Sequence, residues 1–254
     1  MRIFPKIKSI KKIYLIKTKI QKQKRFLRDI KFLFNINTPI KFIIKYIYNH
    51  FLFINNDIDA WIYYEKLNFI DNDWFVEKTP ILINYFEKNM HEKKRIIDVL
   101  EIGSYEGRSS VFFLNYFDNI NLSCVDTWEG SDEHDKKIMQ NIEKNFDYNT
   151  KKNSAQLRKF KNNSDDFFKK NNELYDLIYI DGSHHYEQVI KDSINSDKFL
   201  RLNGFLLFDD YNFIYGNYDK NKNAASAINS FLENNQSKYE IIYIYNQVLL
   251  KKKY

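Results

Sequence analysis

The chain has 254 residues, of which 44% are hydrophobic and 17% aromatic. That size and composition fit one large globular domain, or one domain with an appendage, and exclude a low-complexity disordered chain. A chain this long buries about 70–75% of its unfolded surface, so it needs no disulfide or metal to fold. Its single cysteine, Cys124, excludes an intramolecular disulfide and a cysteine-rich zinc site.

Positive charge is concentrated at the N-terminus. Residues 1–50 contain 14 Lys and Arg but only one acid, Asp29, whereas the other 204 residues contain 26 bases and 32 acids. Bases alternate with apolar residues in this segment, and polar residues recur every four positions at Lys41, Lys45 and Asn49. The pattern predicts a basic amphipathic helical extension over residues 1–54.

Two interpretations of this extension remain open. It is either an anchor lying on an anionic membrane surface, or a helical cap packed on the body or against a second copy in a homo-oligomer. No uncharged apolar run reaches the ~18–20 residues of a membrane span, and no secretory signal is evident. Nucleic-acid binding is not expected, because no binding motif accompanies the bases. We expect a cytoplasmic protein, placed by such an anchor at the inner membrane surface.

The rest of the chain alternates short apolar runs with helical stretches. Predicted strands lie at 95–102, 120–125, 157–160, 175–180 and 205–208. Predicted helices lie at 80–89, 108–117, 132–147, 186–200 and 224–233, with a short one after Ser164. A terminal hairpin is predicted at 239–245 and 248–252. This alternation predicts an α/β domain with a mostly parallel sheet over residues 95–254, preceded by a helical lead-in at 55–94.

A glycine loop follows the first predicted strand, in the segment from Glu101 to Gly107. Gly103 and Gly107 lie four residues apart, between a strand and a helix. Glycine allows a sharp turn and close approach of a ligand, and the N–H groups of the next helix favour an anionic ligand group. An ordinary strand–helix turn is the alternative. The G-x-G-x-x-G spacing of dinucleotide-binding proteins is absent.

Asp126 and Trp128 follow the second predicted strand. A carboxylate at this position can accept hydrogen bonds from the vicinal hydroxyls of a ribose. Trp128 can lie against an adenine face. The alternative is that Asp126 caps the next helix while Trp128 belongs to the core.

Three carboxylates follow the fourth and fifth predicted strands, namely Asp181, Asp209 and Asp210. Carboxylates that converge on one cleft are costly unless they share a cation or a proton. Their oxygens suit a hard divalent cation such as Mg²⁺. The alternative is that Asp209 or Asp210 simply caps a loop.

Two histidines, His184 and His185, lie beside the first of these carboxylates, Asp181. A histidine in a cleft can act as a general base for a hydroxyl group. His134, which follows the second strand, could face the same cleft. A packed or capping histidine is the alternative, and we expect Cys124 to lie in the core.

Together these residues resemble the class I S-adenosylmethionine-dependent methyltransferases, in particular a bacterial-type small-molecule group. The resemblance covers residues 71–250 and is carried by the segments Asp73–Phe75, Val99–Ser110, Val125–His134, Asp176–Tyr186 and Leu202–Tyr211. It implies a Rossmann-like doubly wound sheet of seven strands with an antiparallel terminal strand.

The resemblance also implies roles for individual residues. Glu101, Gly103 and Gly107 would surround the methionine part of S-adenosylmethionine, Asp126 would hold the ribose and Trp128 would flank the adenine. The full cofactor-binding set it implies is Glu101, Gly103, Ser104, Gly107, Asp126, Trp128, Ser164, Asp165 and Asp181.

A more distant resemblance to metal-dependent catechol-type and macrolide-sugar O-methyltransferases implies a divalent cation on Asp181, Asp209 and Asp210. The chain departs from the sugar enzymes after the fourth strand. Ser183, His184 and His185 stand there in place of their second aspartate.

The predicted reaction is attack by a hydroxyl of a small-molecule or glycan acceptor on the methyl group of the cofactor. His184 or His185, next to Asp181, would take the proton.

Three other functions are alternatives to this reaction. A methyltransferase acting on base nitrogens would need an Asp/Asn-Pro-Pro-aromatic tetrapeptide that is absent, and a nicotinamide oxidoreductase is disfavoured by the glycine spacing. A membrane-surface scaffold with a vestigial cofactor pocket is the non-enzymatic alternative.

Overall fold

The computed structural model describes residues 11–54, 67–70, 73–90, 96–130, 136–214 and 223–254. The helices in these ranges are α1 (Lys11–Asn35), α2 (Ile40–Ile54), α3 (Thr79–Asn89), α4 (Arg108–Tyr116), α5 (Lys136–Thr150), α6 (Ser164–Lys170), α7 (Tyr186–Phe199) and α8 (Ala224–Asn234). The strands are β1 (Ile97–Ile102), β2 (Ile120–Asp126), β3 (Leu157–Lys161), β4 (Tyr175–Ile180), β5 (Leu200–Phe208), β6 (Tyr239–Ile244) and β7 (Val248–Lys252). Two 3₁₀ turns lie at Val76–Lys78 and Lys151–Gln156.

All seven strands form one sheet in the order β3-β2-β1-β4-β5-β7-β6. Strands β1 to β5 are parallel to one another, and β7 runs antiparallel between β5 and β6. This confirms the predicted doubly wound, Rossmann-like sheet with an antiparallel terminal strand. The strand order reverses between β1 and β4, which is where such sheets open a ligand cleft.

The register of the central strands decides which residues meet at that cleft. Ile102 at the end of β1 pairs with Val125 of β2 on one side and with Ile180 of β4 on the other. Gly103, Asp126 and Asp181 directly follow these three partners. Loops that are distant in sequence therefore emerge side by side at the carboxyl edge of the sheet.

Two apolar cores, one on each face, hold the sheet between its helices. Every residue of β4 is buried, as expected for a central strand covered on both faces. One core joins the sheet to α1, α2, α6, α7 and α8, and the other joins it to α3, α4 and α5. Cys124 of β2 is fully buried in the second core, as its sequence context predicted.

The N-terminal helices pack on the body through α2 and the end of α1. Their buried side chains belong to the same core as β4, β5 and α8, namely Phe32, Leu33, Ile36, Phe42, Ile43 and Tyr46. The C-terminal half of the predicted extension is therefore part of the domain's core. Among the described residues, no helix is both long enough and apolar enough to cross a lipid bilayer.

The polar stripe of α2 faces the body, where it covers the edge strand β6. The Lys45 ammonium donates to the Ile241 carbonyl at 2.5 Å, and the Asn49 amide donates to the Ile244 carbonyl at 2.9 Å. An edge strand leaves backbone groups unpaired, and these side chains supply partners for them. Lys45 is therefore engaged on the body, although a lysine on an amphipathic helix is usually solvated.

Several predicted boundaries shift. Strand β5 begins at Leu200 because this residue pairs with Tyr175 ahead of an irregularity in the ladder, whereas the apolar run suggested a start at 205. Within the predicted lead-in at 55–94, the one described α-helix is α3. Residues 55–66, 71–72 and 91–95 lie outside the described ranges, as do 131–135 with His134. The domain limits at 54 and 94 stay predictions.

Candidate functional site

A cleft of about 1570 Å³ opens at the carboxyl edge of the sheet. Gly103 and Asp181, which directly follow β1 and β4, line it together with Asp126, the last residue of β2, and Asp210, the second residue after β5. The cleft also borders the predicted Ser104, Ser164, Asp165, His184 and His185. Most of the predicted site residues are thus brought to one cavity by the parallel strands.

Gly103 allows the ends of β1 and β4 to approach each other closely. Its φ is +86°, and a Cβ built at this position would lie 2.1 Å from the Asp181 carbonyl oxygen. A side chain would therefore collide with backbone that cannot move independently of the sheet. Gly107, with φ +83°, ends the loop directly before α4 but does not line the cleft.

The Asp126 carboxylate holds the glycine loop in place. One oxygen, Oδ2, accepts hydrogen bonds from the backbone N–H of Ser104 and of Tyr105, each at 2.8 Å. The other oxygen, Oδ1, accepts from the Trp128 backbone N–H at 2.7 Å. Asp126 also lines the cleft, so lone pairs that these bonds leave free can serve a ligand. Its contact with a ribose stays a prediction.

Trp128 is packed below the loop and does not line the cleft. Its indole Nε1 donates to the Tyr105 carbonyl at 2.9 Å, and its ring centroid lies 4.9 Å from that of Phe146. Only 5% of the residue is exposed. These contacts show that Trp128 supports the loop, in line with the alternative of a core tryptophan, and its contact with an adenine stays a prediction that they do not favour.

Glu101 is also buried beneath the loop and does not line the cleft. Its Oε2 accepts from the Ser110 hydroxyl and, at 3.3 Å, from the Cys124 thiol. Its Oε1 is buried without a hydrogen-bond partner among the described residues. Burial raises the pKa of the Glu101 carboxyl. A direct contact with the methionine part of a cofactor would require this buried oxygen to become accessible.

Ser164 and Asp165 begin α6 and border the cleft. The Gln188 amide of α7 donates to Ser164 Oγ at 3.1 Å, to Asp165 Oδ1 at 3.3 Å and to Asp192 Oδ1 at 3.1 Å. Burial raises the pKa of Asp192 to about 6. Gln188 and Asp192 were missed at the sequence level, although their four-residue spacing places them on one face of α7.

His184 and Asp210, which follow β4 and β5, form a pair at the edge of the cleft beyond these two strands. His184 Nε2 lies 2.7 Å from Asp210 Oδ2, and the imidazole centroid is 4.7 Å from the Phe213 ring. Asp181 is nearby, and its Oδ2 accepts from the Tyr179 hydroxyl at 2.8 Å. His185 lies one residue before the first turn of α7, and its backbone N–H donates to Ser183 Oγ at 3.2 Å. Of the two histidines, His184 is the one paired with a carboxylate in these contacts.

Asp209 differs from the prediction that it would share a metal with Asp181 and Asp210. It is buried and does not line the cleft. Its Oδ1 accepts from the Lys78 ammonium, and its Oδ2 accepts from the Tyr179 hydroxyl and from the Gln247 amide. Side chains of the protein already bond to both oxygens, which disfavours Asp209 as a metal ligand, and its share in a metal site stays an untested prediction. Potential ligand atoms of Asp181, His184 and Asp210 do lie within 4.8 Å of one another.

Lys78 sets the charge balance of this end of the cleft. Its ammonium contacts Asp209 and lies 3.8 Å from Asp210 Oδ1. Burial alone would lower the pKa of Lys78, but the three aspartates outweigh it and raise this pKa. Burial and the neighbouring carboxylates raise the pKa of Asp181, whereas for Asp210 the effect of burial is outweighed by Lys78 and His184, which lower its pKa. Nothing in the sequence distinguishes Lys78 from the other lysines, so it was not among the predicted site residues.

A family model described as a methyltransferase domain matches residues 100–211. No curated protein matches the sequence. Among solved structures, the MycE methyltransferase from the mycinamycin biosynthetic pathway, in complex with Mg, S-adenosylhomocysteine and mycinamycin VI, is 16% identical with a TM-score of 0.52. The match covers 72% of this chain and 51% of that one, so this chain spans about half the length of MycE.

A crystal structure described as that of a caffeoyl-CoA O-methyltransferase from Staphylococcus aureus matches with 16% identity and a TM-score of 0.49, over 74% of this chain and 86% of that one. The sheet order, the glycine loop and the cleft thus define a protein with the class I methyltransferase fold. The family match lies on the strands and loops that build the cleft.

Proposed function

We propose that this protein is an S-adenosylmethionine-dependent methyltransferase that transfers the methyl group to a hydroxyl of a small molecule or saccharide. The observation that carries the proposal is that one cleft is lined both by the glycine loop with Asp126 and by the His184–Asp210 pair. A cofactor site beside a general base is what methyl transfer to oxygen requires.

The residues that line the cleft fit this cofactor. S-adenosylmethionine carries a sulfonium and an amino group, both cationic, and the wall contains carboxylates of Asp126, Asp165, Asp181 and Asp210. Gly103, Ser104 and Asp126 would hold the methionine and ribose parts. Ser164 and Asp165 would hold the adenine end. When bound, the cofactor supplies a methyl group whose bond to sulfur breaks, with the electron pair left on sulfur, as the bond to oxygen forms.

The protein's own part in the reaction is to remove a proton and to align the acceptor. His184 takes the proton of the acceptor hydroxyl as the new carbon–oxygen bond forms, which leaves a neutral ether and an imidazolium. Asp210, 2.7 Å from Nε2, orients the ring and stabilises the charge that it gains. Since this same nitrogen faces Asp210, the ring must rotate, or its Nδ1 must act, when the acceptor binds.

Two observations bear on the type of acceptor. The Asp-Gly-Ser-His sequence after β4 stands where enzymes that act on base nitrogens carry a Pro-Pro tetrapeptide, and this favours oxygen. MycE, which has the same fold, was crystallised with mycinamycin VI. A saccharide or lipid-linked glycan is therefore the acceptor class we propose to test first.

The exposed face of α2 supports a second proposal, peripheral contact with an anionic membrane. Ile40, Ile44, Tyr48 and Phe51 each expose more than half of their surface. They belong to or directly follow residues 1–50, which contain 14 Lys and Arg and a single acid. Exposed apolar side chains together with many bases suit a surface of anionic lipid headgroups. A lipid-linked acceptor would then lie in the plane that this face contacts.

Cofactor binding separates the enzyme from the scaffold alternative. We expect S-adenosylmethionine and S-adenosylhomocysteine to bind with micromolar affinity in calorimetry, and Asp126→Ala to weaken both at least about tenfold. Absence of binding to the wild-type protein would favour a scaffold with a vestigial pocket. A methyl-transfer screen against nucleotide sugars and polyols then identifies the acceptor. His184→Gln should lower the rate about 10²–10⁴-fold with cofactor affinity unchanged, and His185→Gln is the matched control.

A further inference from the structure

Lys78 is a buried ammonium at the boundary between the core and the cleft. It is 8% exposed and ends the 3₁₀ turn Val76–Lys78, which the Thr79 hydroxyl fixes by donating to the Val76 carbonyl at 2.7 Å. Phe75 of the preceding segment packs on Phe112 and Tyr179, with centroids 5.4 and 6.3 Å apart. The turn is thus anchored in the core, so the lysine side chain is directed toward the acidic end of the cleft.

The contacts of this ammonium are those of a resident counterion. It contacts Asp209, which is itself buried, and approaches Asp210 at 3.8 Å. Asp181 adds its charge to the same field. Burying a lysine is costly unless negative charge compensates it, and crowded carboxylates are costly unless positive charge compensates them. The contacts of Lys78 with these aspartates meet both requirements.

We propose that Lys78 occupies the electrostatic place of a divalent cation in this cleft, so that the methyl-transfer site works without a tightly bound metal. The ammonium contacts Asp209 and approaches Asp210, so that it offsets the charge of both, and Asp210 in turn positions His184. Lys78 is therefore a positioning residue that acts through Asp209 and Asp210. Its catalytic meaning rests on the proposed function, but its effect on metal affinity does not.

The position of Lys78 opposes metal binding at the nearest ligand set. A divalent ion bound by Asp181, His184 and Asp210 would stand close to an ammonium that is 3.8 Å from one of its own ligands. Like charges at such separations repel strongly in a partly desolvated site. Asp209, the third carboxylate of this cluster, is already engaged by Lys78. Removing the ammonium should therefore release two carboxylates to a metal.

The test uses MnCl₂ as the probe, with binding followed by electron paramagnetic resonance of free Mn²⁺. The full-length wild-type protein and Lys78→Arg, which keeps the charge, should bind Mn²⁺ no tighter than millimolar. Lys78→Met should bind at least about tenfold tighter, and adding Asp210→Asn to it should abolish the gain. Equally tight binding by the wild type and Lys78→Met would overturn the proposal.

A second variant guards against misfolding of Lys78→Met. The double change of Lys78→Met with Asp209→Asn removes both members of the buried pair and leaves Asp181, His184 and Asp210 intact. It should also gain Mn²⁺ affinity, and no gain in a folded double variant would count against the proposal. S-adenosylmethionine binding to the wild type is measured separately, so that loss of the proposed function and loss of this inference give different results. Once an acceptor is known, wild-type activity should survive complete chelation.

Discussion

Single residues at the carboxyl edge of the sheet determine the shape of the cleft. Gly103 permits the close contact between the loops that follow β1 and β4. Asp126 accepts hydrogen bonds from backbone N–H groups of the loop that follows β1. Trp128 and Glu101 support this loop from below. Gly103 and Asp126, which line the cleft, are thus close in sequence to the buried Glu101 and Trp128, which support the loop.

Gly103→Ala tests the close approach of the two loops. The new methyl group would meet the Asp181 carbonyl at 2.1 Å in a backbone conformation that disfavours side chains, so we expect a loss of at least about 2–3 kcal/mol in the free energy of unfolding. S-adenosylmethionine binding should be lost with it. Gly182→Ala is the control, because the nearest atom to its Cβ would be Ile102 Cγ2 at an ordinary 3.4 Å. Similar effects for the two variants would contradict this account. Urea unfolding and calorimetry measure both quantities.

Asp192→Asn tests the cost of a buried carboxyl near the Ser164 end of the cleft. Its pKa rises from 3.8 to about 6 on folding, so the folded state binds more protons than the unfolded chain between those values. The free energy of unfolding therefore falls as pH rises through that interval, by up to about 3 kcal/mol. The asparagine variant should lack this loss and be more stable than the wild type at pH 7.5.

Asp197→Asn provides a control of opposite sign. The Lys238 ammonium and the Tyr239 hydroxyl outweigh the effect of burial and lower the pKa of Asp197. Its stabilising contribution is present at neutral pH and is lost as pH falls, so this variant should be less stable than the wild type at pH 7.5. Urea unfolding of all three proteins at pH 4.5 and 7.5 gives the comparison. If both variants differ from the wild type with the same sign in the free energy of unfolding at pH 7.5, the opposite pKa directions given for Asp192 and Asp197 are wrong.

At the scale of elements, α2 has two apolar faces with different surroundings. One face, with Phe42, Ile43 and Tyr46, is buried on the body, and its polar stripe covers the edge strand β6. The other face exposes Ile40, Ile44 and Tyr48. A helix that is apolar on both faces usually contacts something on each of them, and the basic N-terminal segment favours an anionic surface for the second contact.

The double change of Ile44→Glu with Tyr48→Glu tests this membrane contact. It places two negative charges on the exposed face without touching the core, so partitioning onto phosphatidylglycerol vesicles should fall at least about tenfold. Leu202→Glu, an exposed leucine on β5, is the control and should bind like the wild type. Vesicle sedimentation measures the bound fraction. If the double variant sediments as the wild type does, another partner covers this face, and analytical ultracentrifugation then tests for a second copy of the chain.

At the scale of the whole molecule, the N-terminal helices and the sheet share one core, and we expect them to unfold as one cooperative unit. The Asp29 carboxylate of α1 accepts from the Tyr46 hydroxyl of α2 and from the Asn212 amide beyond β5, both at 2.8 Å. Arg25 and Arg28 of α1 border the same cleft as the glycine loop. The helices therefore contribute both to the core and to one wall of the candidate site.

Phe42→Ala tests this cooperativity against its neighbour Ile44→Ala. Phe42 is 1% exposed and packs in the core with β4 and β5, so its truncation should cost about 3–5 kcal/mol of unfolding free energy. Ile44 is 59% exposed, and its truncation should change stability by no more than about 0.5 kcal/mol. A single unfolding transition by both fluorescence and circular dichroism is expected in each case. A separate early transition in Phe42→Ala would show that the helices unfold independently.

The sequence by itself determined the alternation of strands and helices, the sheet class and the residues that follow each strand. These properties are local, because periodicity and turn residues are read within a few positions and parallel strands bring their carboxyl ends to one edge. The tertiary structure alone decided that Lys78 meets Asp209 across 131 residues of chain, that Trp128 turns into the core, and that α2 directs its polar stripe toward β6. Side-chain direction and long-range pairing depend on how the elements pack, and a pattern along one chain carries no information on that packing.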